Sequence, residues 1–383
     1  MSSKRVLRGA LRFLAAASVL SGATILLLEV SLRLAQAAGL ASLPERPVEA
    51  YSFYEDRNPR FGVWHPPNAS YRATKACFDV VYRSNSVGAR DRERSRQSEK
   101  PRVVVLGDSF IEGVGVESRD RVSDRLERAM GIEHLNFGTA GNFSSVQEWL
   151  LYEELASGFD HDRILLFTLP NNDFLENDPD RWWEPDRYRP YLRAGSGGFE
   201  LFYPIDFETA QRRAAGELRR NRLHNASLTV RFYRWADTLI RVRRAEGKTT
   251  PFGYIGYVSY SELDLQRLFF SYRKIRDAAG GRELIVFTIP RLNDFLYYES
   301  NGALGGLAAR ISEFAAREPG VRYVDLLPGF AADARARGRR FADYFLPCDG
   351  HWSPEGNEVA ARIVLENVEA PSARPERSVQ NAK

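Results

Sequence analysis

Five residues have side chains or backbone N–H groups that can cooperate in acyl transfer. They lie just after predicted strands or just before the last predicted helix. They are Ser109, Gly141, Asn172, Asp349 and His351. A serine hydroxyl is a weak nucleophile until a base within hydrogen-bond reach takes its proton, and an imidazole oriented by a carboxylate is such a base. Glycine and asparagine in loops can supply N–H donors for a developing oxyanion. The residue types therefore predict acyl transfer through a serine nucleophile.

Each residue is predicted to take one role. Ser109 attacks an ester carbonyl, His351 takes its proton and later activates water, and Asp349 orients the imidazole. The backbone N–H groups of Ser109 and Gly141 and the side-chain amide of Asn172 form the oxyanion hole, where losing one donor typically costs about 2.7–4 kcal/mol. This chemistry needs no metal ion and no organic cofactor. Taken singly, each residue also has an ordinary structural explanation, such as a helix cap, a turn or a buried histidine.

Short apolar runs that alternate with helices are predicted to position these residues. The runs cover residues 103–106, 135–137, 164–167, 284–289 and 323–326, and helices are predicted over 118–130, 144–157, about 260–278 and 354–368. This alternation predicts a doubly wound α/β fold with a parallel sheet and right-handed crossovers. Since the carboxyl ends of parallel strands share one edge of the sheet, we expect the five residues to meet there.

The stretches GDSF, NFGTAG, NND and DGHW, in this order, resemble the four sequence blocks of the SGNH/GDSL hydrolase superfamily. Those blocks carry Ser, Gly, Asn and His, which here are Ser109, Gly141, Asn172 and His351. The resemblance covers residues 101–173 and 283–365. It implies a flavodoxin-like three-layer α/β/α fold, the SGNH hydrolase fold, and activity as an esterase, lipase, carbohydrate deacetylase or O-acyltransferase.

The last block departs from the family's usual Asp-x-x-His. Here Asp349-Gly350-His351 is one residue shorter. It resembles the Asp-x-His-Trp variant of some envelope polysaccharide-modifying members, and some members orient their histidine through a backbone carbonyl instead. Residues 85–91 also resemble an extension found in membrane-tethered bacterial members. The resemblance therefore assigns His351 and leaves open whether Asp349 or a carbonyl orients it.

The first 40 residues indicate attachment to a membrane. Four cations precede an apolar run over 13–28, and counting from Gly9 gives a span of twenty residues, the length that a bilayer requires. The positive-inside rule predicts a cytoplasmic amino end, with the rest outside, on the periplasmic side of a bacterial inner membrane. We favour an uncleaved single-pass anchor over residues 9–28. The alternative is a signal peptide cleaved at the Ala-x-Ala site 35–37.

The chain divides into predicted parts of different character. They are a cytoplasmic tip with the anchor (1–40), an irregular membrane-proximal segment broken by prolines (41–100), the SGNH hydrolase domain (101–370) with a helical insertion (174–258), and a polar tail (371–383). Between residues 212 and 248 the insertion has eleven cations against three acids. This stretch is either a basic amphipathic helix that binds anionic headgroups or an acidic polymer, or a solvated helix packed on the sheet.

Two further sets of residues are candidates for particular contacts. Trp182 and Trp183 in the insertion, together with Trp352 beside the histidine, could contact a sugar ring or an acyl chain, although aromatic pairs more often pack locally. Cys77 and Cys348 could form a disulfide in an oxidising compartment, which would pin the histidine's loop to the membrane-proximal segment. The alternative is two buried thiols.

Composition and motifs exclude several classes of protein. The 383 residues are 44% hydrophobic and 27% charged, unlike a disordered chain or a polytopic membrane protein. A net charge of +4 is too small to indicate nucleic acid as a partner, and none is expected. The loop from Gly107 to Gly113 lacks the lysine of a P-loop, and the glycines that follow lack the third glycine of a dinucleotide-binding fingerprint.

The sequence thus predicts a membrane-tethered, extracytoplasmic serine ester hydrolase whose substrate is an acylated envelope glycan or lipid. Two alternatives stay open. One is an O-acyltransferase that uses the same site with a sugar hydroxyl as the acceptor. The other is a non-catalytic glycan-binding or scaffold protein on the same fold.

Overall fold

The computed structural model describes residues 2–40, 43, 52–184, 187–245 and 254–369. The contacts within the chain divide it into two compact units. The smaller unit comprises residues 1–48 and 215–249, and the larger comprises residues 49–214 and 250–383. The predicted tail, 371–383, lies outside the described residues.

The strands are short, and all of them belong to the larger unit. They are β1 (Glu55–Asn58), β2 (Gly62–Trp64), β3 (Ser70–Lys75), β4 (Phe78–Arg83), β5 (Arg102–Gly107), β6 (Glu133–Asn136), β7 (Arg163–Thr168), β8 (Tyr191–Gly195), β9 (Gly198–Phe202), β10 (Glu283–Thr288) and β11 (Val321–Asp325). Five of them form one parallel sheet in the order β11–β10–β7–β5–β6. Each predicted apolar run overlaps one strand of this sheet.

The helices vary in length from 4 to 36 residues. They are α1 (Ser2–Ala37), α2 (Ser109–Glu112), α3 (Val122–Met130), α4 (Ser145–Glu154), α5 (Pro170–Glu176), α6 (Phe207–Ala226), α7 (Leu228–Ala245), α8 (Glu262–Ala278), α9 (Leu292–Asn301), α10 (Leu307–Arg317), α11 (Leu326–Arg337) and α12 (Pro354–Asn367). Within the larger unit, α4 packs against α8, and α3 packs against α12.

The central strands are buried on both faces of the sheet. Val105, Leu165 and Ile285 pair across β5, β7 and β10, and all three are fully buried. Strands without polar alternation are what a parallel sheet covered by helices on both faces requires. The predicted three-layer α/β/α fold with a parallel sheet is confirmed.

The segment between residues 52 and 100 is more regular than the sequence indicated. It contains two antiparallel hairpins, β1–β2 and β3–β4, where the sequence predicted irregular chain. The prolines that suggested irregularity break helices, but here they lie between the strands, at Pro59, Pro66 and Pro67. The hairpin β3–β4 is important for the site described below.

The insertion also combines strands with helices. An antiparallel hairpin, β8–β9, comes first, and the basic stretch follows as α6 and α7. On α7 the side chains of Val230, Tyr233 and Trp235 are exposed. At about 3.6 residues per turn these three side chains are spread around α7 and do not form a single apolar stripe.

The smaller unit joins α1 to the start of α7 through one carboxylate. Glu29 accepts hydrogen bonds from the backbone N–H of Leu228 at 3.1 Å and of Thr229 at 2.8 Å. Arg33 pairs with Glu29 at 2.7 Å and donates to the carbonyl of Ala226 at 2.8 Å. Glu29 therefore satisfies N–H groups that the first turn of α7 cannot satisfy internally.

One helix of the described chain is long and apolar enough to cross a membrane. It is Leu11–Ala37, within α1, and its side chains are exposed. A rise of 1.5 Å per residue gives these 27 residues a length of about 40 Å, more than the hydrocarbon core of a bilayer. A signal sequence near the amino terminus has the same properties.

Candidate active site

Ser109 is the first residue of the short helix α2, directly beyond the carboxyl end of β5. The carboxylate of Asp108 caps this helix by accepting a hydrogen bond from the backbone N–H of Phe110 at 2.9 Å. The turn is so tight that a Cβ on Gly107 would lie only 2.5 Å from the side chain of Ile111, and glycine is therefore required there. These contacts place the serine hydroxyl at the edge of the sheet where the parallel strands end.

His351 lies beside Ser109 although 242 residues separate the two along the chain. Its Nε2 is 2.7 Å from the Oγ of Ser109, a hydrogen-bond distance. Its Nδ1 bonds to the carboxylate of Asp349. The histidine side chain is 23% exposed and the aspartate side chain 3% exposed, so a substrate can reach the imidazole while the carboxylate is shielded from water.

Asp349 has a second partner, Lys75 at the end of β3. Burial alone would raise the pKa of Asp349, but its bonds to His351 and Lys75 and their charges outweigh burial and hold that pKa well below its usual range. The aspartate is therefore ionised at neutral pH. Lys75 could not be predicted as a site residue, because nothing in a lone lysine on a hairpin indicates a partner 274 residues away.

A disulfide fastens the same loop to the same hairpin. Cys77, in the turn between β3 and β4, is bonded to Cys348, which precedes Asp349. The backbone N–H of each cysteine also points at the sulfur of the other, at 3.2 and 3.3 Å. The loop that carries Asp349 and His351 is thus held by a covalent bond and an ion pair to one hairpin.

Of the two other predicted oxyanion donors, Gly141 lies in the loop after β6, and Asn172 lies in the first turn of α5, which follows β7. Gly141 has a φ of 100°, a left-handed conformation that favours glycine. Within the described chain, no hydrogen bond begins at the backbone N–H of Ser109 or of Gly141, so both are available to a substrate. The side-chain amide of Asn172 lies 3.5 Å from the carboxylate of Asp108, which places it beside the serine's turn.

A sequence model of the GDSL-like lipase/acylhydrolase family matches residues 105–359. The chain belongs to this family. The match spans all five residues predicted from the sequence. No curated protein matches the chain.

Several solved structures are similar to the chain at low identity. A lipolytic protein of the G-D-S-L family from Veillonella parvula DSM 2008 is 12% identical, with 69% of this chain and 96% of that chain covered and a TM-score of 0.36. A lipase/acylhydrolase from Enterococcus faecalis is 11% identical, with 71% and 100% covered and a TM-score of 0.37. The salicylyl-acyltransferase SsfX3 from a tetracycline biosynthetic pathway is 13% identical, with 70% and 54% covered and a TM-score of 0.35.

A buried carboxylate supports the loop of Gly141 in this GDSL-family protein. Glu112, on α2, accepts a hydrogen bond from the backbone N–H of Ala140 at 2.6 Å and one from the hydroxyl of Tyr54 at 2.7 Å. Its other close neighbour is the ring of His65, 3.4 Å away. Burial opposes ionisation of Glu112, but His65, Arg90 and Tyr54 together lower its pKa. No sequence motif singles out Glu112 for this role.

Further carboxyl groups lie buried behind the site. Burial raises the pKa of Asp108 to about 6 and that of Glu176 to about 7. Burial and the neighbouring carboxylates also raise the pKa values of Glu148 and Asp173. Asp173 nevertheless accepts hydrogen bonds from two backbone N–H groups, which tie the start of α4 to α5. Within the described residues, no group of three or more histidine, cysteine and acidic side chains is arranged to hold a metal ion.

The three tryptophans proposed as substrate contacts have different surroundings. Trp182 borders a cavity next to Asn172. Trp183 is half-exposed and stacks near Tyr191 and Phe202, at centroid distances of 6.4 and 6.2 Å. Trp352 is 1% exposed and packs on Phe110 and Phe330. The prediction of a substrate contact is wrong for Trp352, because its ring fills the core beneath the histidine.

The disulfide gives a prediction for stability. Replacing Cys77 and Cys348 together by serine is expected to lower the free energy of unfolding by about 2–5 kcal/mol, because the bond joins residues 271 apart and restricts the unfolded chain. Urea denaturation of the full chain in detergent, followed by tryptophan fluorescence, measures the change. The wild-type protein under reducing conditions is the control and should match the double variant. Equal stability of the oxidised wild type and the double variant would contradict the prediction.

The raised pKa of Asp108 gives a prediction for pH dependence. This pKa is about 6 in the folded chain, against an ordinary value of 3.8. Between these two pH values the folded state binds more protons than the unfolded state, so the free energy of unfolding falls as the pH rises from 3.8 to 6. Asp108→Asn keeps the helix cap but cannot ionise. The free energy of unfolding of this variant, relative to that of the wild type, should therefore increase by up to about 3 kcal/mol between pH 4 and pH 6. Above pH 6 the difference should stay constant. Urea denaturation at several pH values measures this difference, and a difference independent of pH would refute the prediction.

Proposed function

We propose that this protein is a serine ester hydrolase that removes an acyl group from an envelope glycan or lipid through an acyl-enzyme on Ser109. The observation that carries the proposal is the 2.7 Å hydrogen bond between Ser109 and His351, with Asp349 bonded to the opposite ring nitrogen. This connectivity lets the imidazole take the serine proton while the carboxylate stabilises the imidazolium. Membership of the GDSL-like lipase/acylhydrolase family supports it.

The first half-reaction forms the acyl-enzyme. The Oγ of Ser109 attacks the ester carbonyl as its proton passes to Nε2 of His351. The resulting tetrahedral intermediate collapses when the bond to the alcohol oxygen breaks, and the imidazolium protonates the departing alcohol. The ionised Asp349 remains a carboxylate throughout, because His351 and Lys75 both favour its charged form.

The oxyanion of that intermediate needs donors that are in place before the reaction. The free backbone N–H groups of Ser109 and Gly141 and the amide of Asn172 supply them in this proposal. The N–H of Gly141 depends on the loop that Glu112 holds through Ala140. Preorganised donors of this kind usually contribute the largest single term in such catalysis.

The second half-reaction resolves the acyl-enzyme. A water molecule deprotonated by His351 attacks the acyl carbon, and the serine oxygen leaves with the proton from the imidazolium. A sugar hydroxyl in place of water would make the protein an O-acyltransferase with the same five residues. The two outcomes differ in a measurable way, because transfer depends on added glycan and hydrolysis does not.

The proposed location is the outer face of a membrane, with residues 9–28 as an uncleaved anchor. A disulfide is stable in an oxidising compartment, which supports an extracytoplasmic catalytic domain. The contact of Glu29 and Arg33 with α6 and α7 supports retention of α1, since cleavage after residue 37 would remove both side chains from the folded unit. The four amino-terminal cations favour a cytoplasmic amino end.

Substitution of the nucleophile tests the function directly. Ser109→Ala is expected to abolish labelling by a fluorophosphonate and to reduce hydrolysis of short-chain aryl esters by at least about 1,000-fold, because it removes the hydroxyl on which the acyl-enzyme forms. Ser118→Ala changes an exposed serine in the loop after α2 and is the matched control, with labelling and turnover unchanged. Wild-type protein that is neither labelled nor active on esters and acetylated glycans would point to the non-catalytic alternative.

The anchor gives a separate prediction. Intact-mass measurement of the protein from the membrane fraction should find the first 40 residues retained, because α1 is part of a folded unit with α7. A mature chain that begins after Ala37 would instead establish a signal peptide. Replacing residues 1–40 by a cleavable export signal should move the protein to the soluble periplasmic fraction. Its recovery with membranes would show that another segment, with α7 as the first candidate, binds the bilayer.

A further inference from the structure

A cavity of about 380 Å³ adjoins the candidate active site. It begins at Asn172, the proposed oxyanion donor, and side-chain amides, aromatic rings and charged groups line it. The lining residues that matter here are Asn142, Asn171, Asn172, Trp182 and Arg291. A substrate whose ester carbonyl reaches Asn172 would therefore place its adjoining part in this cavity.

Among the residues that the structure describes, Arg291 has no ion-pair partner at close range. Its guanidinium donates to the side-chain oxygen of Asn171 at 2.7 Å, and the amide of Asn171 donates in turn to the carbonyl of Tyr254 at 3.0 Å. Within the described residues, no carboxylate lies within 4.0 Å of the guanidinium. The arginine is thus oriented by a neutral amide and keeps most of its N–H donors free.

The acidic groups nearest the cavity form no close ion pair with Arg291. Glu176 borders the cavity, but its carboxylate pairs with the buried Arg189 at 3.4 Å. Asp294, in the first turn of α9, is buried and accepts a hydrogen bond from the backbone N–H of Arg291 at 2.7 Å, and it interacts with the charge of Arg291 only at longer range. Arg291 is therefore the positive group that a ligand in the cavity would meet.

The remaining lining indicates the kind of ligand. Side-chain amides donate and accept hydrogen bonds, as sugar hydroxyls require, and Trp182, 38% exposed, offers an aromatic face for a sugar ring. A lipid chain would require an apolar wall, and Leu175 is the aliphatic residue among the lining side chains. The cavity thus matches a hydroxylated ring better than an acyl chain.

We propose that Arg291 binds an anionic group, such as a carboxylate, on the sugar that carries the ester or on its neighbour. The substrate would then be an acylated acidic glycan. Arginine suits this role because its planar fork of N–H donors matches the two oxygens of a carboxylate. The inference rests on the proposed function for the position of the ester, but binding of the anion does not require turnover.

Hydrolysis by the full-length protein in detergent tests the inference. The substrates are an acetylated polyuronate, an acetylated neutral glycan and 4-nitrophenyl acetate. Arg291→Gln should raise KM for the polyuronate by roughly 10- to 100-fold, the loss expected for a charge-assisted hydrogen bond, and leave kinetics on the other two within about 2-fold. Arg291→Lys should show an intermediate KM, and Arg335→Gln, at an exposed position on α11, should match wild type.

Two results would overturn the inference. A uniform loss on all three substrates would assign Arg291 a structural role, and an unchanged KM for the polyuronate would remove it from recognition. In the second case, a selective loss on an anionic lysolipid, assayed as a fourth substrate, would identify a lipid as the ligand.

Binding without catalysis separates this inference from the proposed function. Calorimetry with Ser109→Ala protein and a deacetylated uronate oligosaccharide should show binding that the additional Arg291→Gln change removes. If that binding is present while the wild-type protein hydrolyses no ester, the proposed function fails and the inference stands. If turnover is present and no uronate binding is measured, the inference fails and the proposed function stands.

Discussion

The candidate site depends on a single carboxylate with two partners. Asp349 bonds to His351 on one side and to Lys75 on the other, and burial leaves it little water. A buried carboxylate is costly unless it is paired, so this interaction determines where the loop of His351 can lie. Because Lys75 belongs to the hairpin β3–β4, a segment before the α/β domain helps to build the site. The disulfide at Cys348 fixes the same arrangement covalently.

The oxyanion side of the site depends on the same early segment. Glu112 holds the loop of Gly141, and its own charge is stabilised by His65 and Tyr54, which precede β3. Both halves of the site, the base and the oxyanion donors, are thus supported by residues between 52 and 83. The parallel sheet brings the strand ends together, and the hairpins hold the loops that extend beyond those ends.

The sequence predicts what local patterns and ordered motifs determine. Ser109, Asn172 and His351 could be found because each stands in a short motif that follows a strand or precedes a helix. Lys75 and Glu112 could not be found, because their roles arise from contacts between distant segments. Trp352 was misjudged because its position beside His351 does not reveal that its ring points into the core. The hairpins were missed because prolines in turns resemble prolines in irregular chain.

The bond between Cys77 and Cys348 has a consequence for when the protein matures. The two cysteines are 271 residues apart, so nearly the whole catalytic body has to be synthesised before they can meet. With the topology proposed above, Cys348 also has to leave the reducing cytoplasm first. With that topology, covalent closure of the histidine's loop follows export, and chains still in the cytoplasm would have the loop unlocked.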